Sequence, residues 1–415
     1  MIIKGTIIHA PALGHLSILP GGYLVLDSSG RIRSVSTQLP PEAAREPVED
    51  FGDRLILQSF ADMHLHGPQY PQLGMGMDLP LLDWLNTYTF PAESRFSDTD
   101  YARKVYSSLA RELIANGTTR VCMFSSLHTD STLILMEELE KAGVTGFVGK
   151  VNMDRNGGKN LQETTKESME ETLRWLDRCR DFRFIHPILT PRFTPACSNE
   201  LMAFLGDLAR ERGLYVQSHL SENKKEMAWV KELCPDCTQY WETYHKYGLW
   251  KDHTLMAHCV HSDRREREAM KKYSVIAVHC PSSNTNICSG VAPVRQQLEE
   301  GIWVTLGSDI AGGSKLPMME VISSAIEVSK IRCMMDGSPF LTAAEGYYLG
   351  TTAGHRYFGA GRGFAPGDPL HAIVVDDSRF CSIPGITPEN RLERFLSEGN
   401  SSDIRAVWSE GRRLL

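Results

Sequence analysis

Between about residue 55 and residue 335 the chain alternates short apolar runs with longer segments whose apolar positions recur every three or four residues. The short runs are RLILQSFADM, TTRVCMF, GFVGKV, RFIHPIL, LYVQSH, TLMAH, VIAVH and WVTLGSD, eight candidate strands. Between them lie helical patterns such as YARKVYSSLARELIAN, STLILMEELEKA, NELMAFLGDLARER and REREAMKKY. Several of these end on Asn or Gly, as in IANG, EKAG and RERG, where a residue tolerant of positive φ terminates a helix. Eight strands with intervening helices predict an α/β fold, a (β/α)8 barrel of the TIM type spanning ~280 residues. An open, doubly wound sheet is the alternative, but no G-x-G-x-x-G follows any strand, which counts against its nucleotide-binding form.

The two ends of the chain are patterned differently. IIKGTIIHA, YLVLD and RIRSVS near the start, and GFAPGDPLHAIVVDD and DIRAVWSEGRRLL near the finish, read as strands separated by turn residues. They predict a small composite β-sandwich domain built from both termini, residues 1–57 and 362–415, beside a barrel at 58–361.

Chemistry-bearing residues gather at the carboxyl ends of the predicted strands, the face on which barrel enzymes build their sites. The first strand ends in His64 and His66, the fifth in His219, the sixth in His258, the seventh in His279 and the eighth in Asp309. One buried strand-end histidine is ordinarily a hydrogen-bonded core residue; five strand ends sharing a ligand-type side chain is a pattern. Residues i and i+2 of a strand face the same way, so His64 and His66 can both point into the barrel mouth. With His219 and Asp309 they make an N/O donor set suited to Zn²⁺ or Fe²⁺. An ion held there lowers the pKa of a coordinated water toward ~7. Asp62 is placed to lie beneath the ligands as an outer partner. In SHLSEN, Glu222 stands three residues past His219, where it can carry a proton between water and leaving group. The plainer reading of Glu222 is an exposed acid at the start of a helix.

Composition narrows the class. Of 415 residues, 42% are hydrophobic and 23% charged, as in ordinary globular proteins. Lys and Arg total 44 against 51 Asp and Glu, a net charge of −7, and there is no basic run to grip nucleic acid. No signal peptide and no stretch of ~18 apolar residues is legible, so no membrane association is expected. The ten cysteines are scattered, which suits reduced thiols in the cytoplasm. Cys234 and Cys237 form one C-x-x-C pair with no second pair, so a loop with free thiols is expected there rather than a structural zinc site.

These residues resemble the amidohydrolase superfamily: H-x-H at strand 1, His at strands 5 and 6, Asp at strand 8, and a flanking β unit from both chain ends. In finer detail HLHGPQY, DLPLLDWLNTYTFPAESRF, NGTTRVCMF, HTDSTLIL, FVGKVNMD, TPRFTPACS, QSHLSEN, MAHCV, HCPSSN and GSDIAGG resemble, in order, its guanine deaminase branch over roughly residues 55–330. The resemblance departs at Gln58-Ser59, where Pro-Gly is frequent, and at His371, near the place of a usual Asp. It implies hydrolysis of guanine to xanthine and ammonia by a metal-activated water. It further implies one zinc (or Fe²⁺) bound by His64, His66, His219 and Asp309, with Gln69, Arg192 and Phe193 holding the purine beside His219 and His258. Glu222, His258 and Asp309 would assist proton transfer, and the active form would be a homodimer.

Three other readings compete. The nearest is an aminohydrolase of a related heterocycle, of the 8-oxoguanine, pterin, cytosine or triazine type. Some relatives bridge two metals with a carboxylated Lys at strand 4; RFIHPILTP has none, and Lys150 falls near strand 3, which favours one metal. The small cytidine deaminases use H-x-E and P-C-x-x-C, and neither occurs here. The remaining reading, from another class, is a non-catalytic purine-binding barrel, against which the full ligand set and Glu222 argue.

Overall fold

The computed structural model describes residues 1–158 and 161–415. All eight expected barrel strands form: β1 (Phe60–His66), β2 (Thr118–Phe124), β3 (Thr145–Gly149), β4 (Ile185–Pro187), β5 (Gln217–Leu220), β6 (Leu255–His258), β7 (Ile276–His279) and β8 (Val304–Leu306). They pair in parallel as two four-stranded halves, β1–β4 and β5–β8. Between the halves the ladder is replaced by isolated backbone bonds. At one seam Leu189 N donates to Tyr215 O (3.0 Å) and Gln217 N to Leu189 O (2.9 Å). At the other, Asp309 N donates to His64 O (2.8 Å) and His66 N to Ile310 O (3.1 Å). The strands read as continuous apolar runs because helices cover their outer faces while their other side chains fill the barrel.

The helices form where periodicity placed them. Thr99–Ala115 is capped by Asp98, whose Oδ1 accepts from Asp100 N and Tyr101 N. The helices Thr129–Ala142 and Asn199–Arg212 end on Gly143 (φ 89°) and Gly213 (φ 65°), conformations that a Cβ would strain. Among the described residues no helix is long and apolar enough to cross a membrane.

Both chain ends meet in one sheet. Its central strand, Val48–Gln58, pairs in parallel with Ile2–Ala12 and antiparallel with Ala372–Val375. Three points correct the sequence reading. RLILQSFADM is not one strand: Leu55–Gln58 belongs to the terminal sheet, and after Ser59 the chain enters β1. The expected sandwich is, in its hydrogen bonding, a single seven-stranded sheet. The C-terminal piece is also not purely β, because Pro388–Glu398 is a helix capped by Thr387. One face of the sheet buries Ile3, Ile7, Leu24, Ile56, Val374 and Trp408 in a core of its own, while Ile8, Ile373 and Val375 pack with the barrel's outer core.

Candidate active site

Five of the strand-end side chains converge at the carboxyl-terminal mouth. His64 and His66 leave β1 with rings perpendicular and centroids 5.0 Å apart. His64 Nε2 lies 3.2 Å and His66 Nε2 3.4 Å from Asp309 Oδ1. His66 Nε2 is 3.2 Å from His219 Nε2. His258 Nε2 sits 3.5 Å from Glu222 Oε2 and 3.8 Å from Asp309 Oδ2.

Backbone conformation decides which side chains arrive. On β6, Leu255 faces the barrel interior and Met256 the outer core, so strict alternation puts His258 outside with Met256. His258 instead adopts φ 74°, which turns its ring into the mouth, and Asp309 (φ 47°) and Ser221 (φ 46°) leave their strands in the same left-handed region. Such residues cost of order 1–3 kcal/mol each and cluster at functional sites. On β7 no such residue intervenes. Ile276 and Val278 face inward and Ala277 outward, and His279 continues that alternation away from the cluster. It lines a crevice with Arg295 and Arg332. The expectation that strand 7 contributes to the mouth is therefore corrected.

The donor chemistry fits a borderline divalent metal. His219 Nδ1–H donates to Arg192 O (2.5 Å), which leaves the Nε2 lone pair facing His66 Nε2 and free for a metal. His64 Nε2 is buried and makes no hydrogen bond, a placement suited to a coordinating nitrogen. Burial pushes His66 and His219 well below the ordinary imidazole value, so both are neutral. Burial works against a charged Asp309, yet its contacts with His64 and His258 hold the carboxyl far below the usual range. Burial also opposes a charge on His258, but the carboxylates of Glu222 and Asp309 outweigh it and raise that group. Lys150 is engaged elsewhere: its ammonium pairs with Glu163 at 2.8 and 2.9 Å, in keeping with a single-metal site.

Asp62 lies below this cluster. It accepts from Ser308 N (2.9 Å), from Ser308 Oγ and from His64 N (3.4 Å), and so ties β1 to β8; burial raises its carboxyl to about 7. The seam is tight at Gly307, where an added Cβ would stand 2.8 Å from both His64 Cβ and His64 O. Gly307→Ala is expected to displace His64 and weaken metal retention by ~10–100-fold, the usual cost of disturbing groups that orient ligands. Metal titration of the purified variant reads this directly, and unchanged affinity would show that the seam yields freely.

Glu222 is not the exposed helix acid of the plainer reading. Asn223 caps the helix Lys224–Leu233, and Glu222 is only 4% exposed. Its Oε1 accepts from Ser289 Oγ (3.1 Å) and its backbone N donates to Glu226 Oε2 (3.0 Å). Burial raises its carboxyl to about 7, His258 opposing, so it can hold a proton at neutral pH.

Above the candidate ligands is a small cavity with Gln69, Arg192, Phe193, Glu222 and His258 on its walls. Leu81, Trp84, Leu85 and Ile287 close it with apolar surface. A larger cleft lined by Glu140, Arg183 and Arg412 lies at the opposite, amino-terminal ends of β3 and β4 and holds none of these residues. The apolar closure escaped the sequence reading, although DLPLLDWL is conspicuously apolar for a loop. So did Glu93, which holds Arg192 and Gln69, and Asn284, whose Oδ1 accepts from His258 Nδ1 at 2.8 Å. Cys234 and Cys237 are free thiols in the turn that ends Lys224–Leu233, and His371 bonds Thr119 and Glu410, remote from the mouth.

The amidohydrolase family model matches residues 55–414. A guanine deaminase of Dictyostelium discoideum is 34% identical over 439 aligned residues, covering 100% of this chain and 98% of its own. The human guanine deaminase is 33% identical, covering 100% of this chain and 96% of its own. Among solved structures, the guanine deaminase of C. acetobutylicum, determined with guanine in its active site, superposes with a TM-score of 0.97 at 42% identity, over 100% of this chain and 99% of its own. The E. coli guanine deaminase superposes with a TM-score of 0.90 at 28% identity, over 99% and 98%. Sequence relatives and fold agree over the whole chain and the family model over residues 55–414, so the chain belongs to the amidohydrolase family and, within it, to the guanine deaminases.

Proposed function

We propose that this chain hydrolyses guanine to xanthine and ammonia. The observation that carries the reading is the pairing of full-length similarity to guanine deaminases with a cavity that brings metal-type ligands together with Gln69, Arg192 and Phe193.

In this reading one zinc, with Fe²⁺ as the alternative, is held by His64, His66, His219 and Asp309. When bound it supplies an acidified water, with pKa brought toward ~7. Arg192 presents N–H donors that match the O6/N7 edge of guanine. Phe193 offers a ring face for stacking, and Gln69 offers both donor and acceptor to ring nitrogens. Asp309, with His258 beside it, accepts the proton of the attacking water. Glu222 protonates a ring nitrogen next to C2 and then assists the amine as it leaves as ammonia. The buried setting strengthens each of these charge interactions. Residues 58–361 serve as the catalytic barrel and 1–57 with 362–415 as a flanking unit, supported by the separate apolar core of the terminal sheet. A cytoplasmic homodimer is part of the same proposal, and light scattering on the purified chain reads the assembly.

The test is ammonia release from guanine, 8-oxoguanine, pterin, adenine and cytosine, with metal quantified in the same sample. Guanine is expected to be the preferred substrate at one metal per chain. Preference for another heterocycle would reassign the substrate, and purine binding without ammonia would replace the enzyme by a binding protein. Two ions per chain would overturn the single-metal arrangement.

A further inference from the structure

The polar wall of the cavity is organised by a residue outside both the ligand set and the purine-binding set. Glu93 lies on the short helix Phe90–Ser94 and is 1% exposed. Its Oε2 accepts from Arg192 Nη1 at 2.5 Å and its Oε1 from Arg192 Nη2 at 3.0 Å. The same Oε1 accepts from Gln69 Nε2 at 2.8 Å. Three N–H donors from two other loops thus converge on one buried carboxylate. The ring of Phe90, on the same helix, lies under the guanidinium, 5.2 Å from Arg192 Cζ.

This geometry settles two orientations that the side chains alone leave open. A glutamine amide can sit either way round, but a carboxylate only accepts. Glu93 therefore draws the Gln69 amide nitrogen to itself and leaves the oxygen to accept from Ala311 N (3.0 Å). A guanidinium carries five N–H donors in a rigid fork. Glu93 takes the end formed by Nη1 and Nη2, so the donors left over lie on the flanks of the fork. Both side chains border the cavity, and neither can rotate without breaking its bond to Glu93.

We propose that Glu93 is the positioning residue that sets purine selectivity. It fixes the guanidinium plane of Arg192 and the amide of Gln69 so that the wall favours a base with an acceptor at C6 over one without. This rests on the reading of the site as a guanine hydrolase. A wall held as preformed donors penalises an analogue that leaves them unpaired far more than an apolar wall does.

Guanine and 2-aminopurine test this, because both carry the 2-amino group and differ at C6. Glu93→Gln keeps the size of the side chain and removes its charge. Its kcat/KM for guanine is expected to fall ~10²-fold, mainly through KM, with metal content unchanged. The value for 2-aminopurine is expected to change less than about threefold, so discrimination between the two collapses. Where 2-aminopurine turns over too slowly, its inhibition constant against guanine supplies the same ratio. Glu93→Asp, which restores the charge, is expected to recover part of the lost discrimination. An equal fall for both bases in a folded, metal-loaded variant would overturn the proposal. If Glu93→Gln does not fold, Glu93→Asp carries the comparison, and failure of both to fold would reduce Glu93 to a structural residue. Absence of ammonia from guanine with the unaltered chain strikes the activity itself. Calorimetric affinities of unaltered and Glu93→Gln chains for the two bases then judge Glu93 separately.

Discussion

Glu222→Gln is expected to keep its metal and lose turnover by ~10²–10⁴-fold, the usual contribution of a positioned general acid and base. The amide matches the carboxyl in shape and can still accept from Ser289 Oγ, so the loop after β5 has no reason to move. What disappears is a proton that can be given and taken back. Burial has raised the Glu222 carboxyl to about 7, so near neutral pH the residue can both hold and release that proton. Steady-state rates, with metal content and purine affinity measured on the same preparation, separate this loss from misfolding. Undiminished turnover in the variant would remove Glu222 from the chemistry.

Asp309→Asn should remove both a ligand and a base. The carboxylate lies against His64 and His66 and faces His258, and its contacts with His64 and His258 keep it ionised despite its burial. An amide oxygen is a weaker donor to a divalent ion and cannot accept the water's proton. Metal content is expected to fall well below one per chain, and kcat by at least ~10²-fold even with metal in excess. The fold should be spared. Asn tolerates the left-handed φ of 47° at this position about as well as Asp does, and the backbone bond from Asp309 N to His64 O needs no carboxylate. A variant that binds metal normally and turns over at the ordinary rate would displace Asp309 from both roles.

Much of this site is legible along the chain because strands keep a period of two. ADMHLH and QSH place ligand-type histidines at strand ends, and helix stops such as EKAG and RERG mark the helices in between. The union of the two ends beside a barrel starting near residue 58 is legible, but the break at Ser59 within RLILQSFADM is not, since both strands are apolar and one residue apart. The helix Pro388–Glu398 was hidden among strand-like neighbours, although Thr387 followed by Pro388 is an ordinary helix start.

TLMAH and VIAVH show most directly what the sequence by itself determined and what it did not. Both are apolar strands ending in histidine, and both do form barrel strands at the predicted places, β6 and β7. Pattern alone treats His258 and His279 alike. Only the tertiary structure separates them, through φ 74° at His258, which turns one ring into the mouth while the other follows the pleat to the outside. Glu93 poses the same limit over a longer distance, 24 residues from Gln69 and 99 from Arg192. Periodicity reports which side of a regular element a residue occupies, because that depends on backbone geometry repeated locally. A left-handed residue at a strand end and a carboxylate buried between two loops are each unfavourable alone. They persist only where packing and partners from distant segments outweigh the cost, and those partners are brought together by the fold.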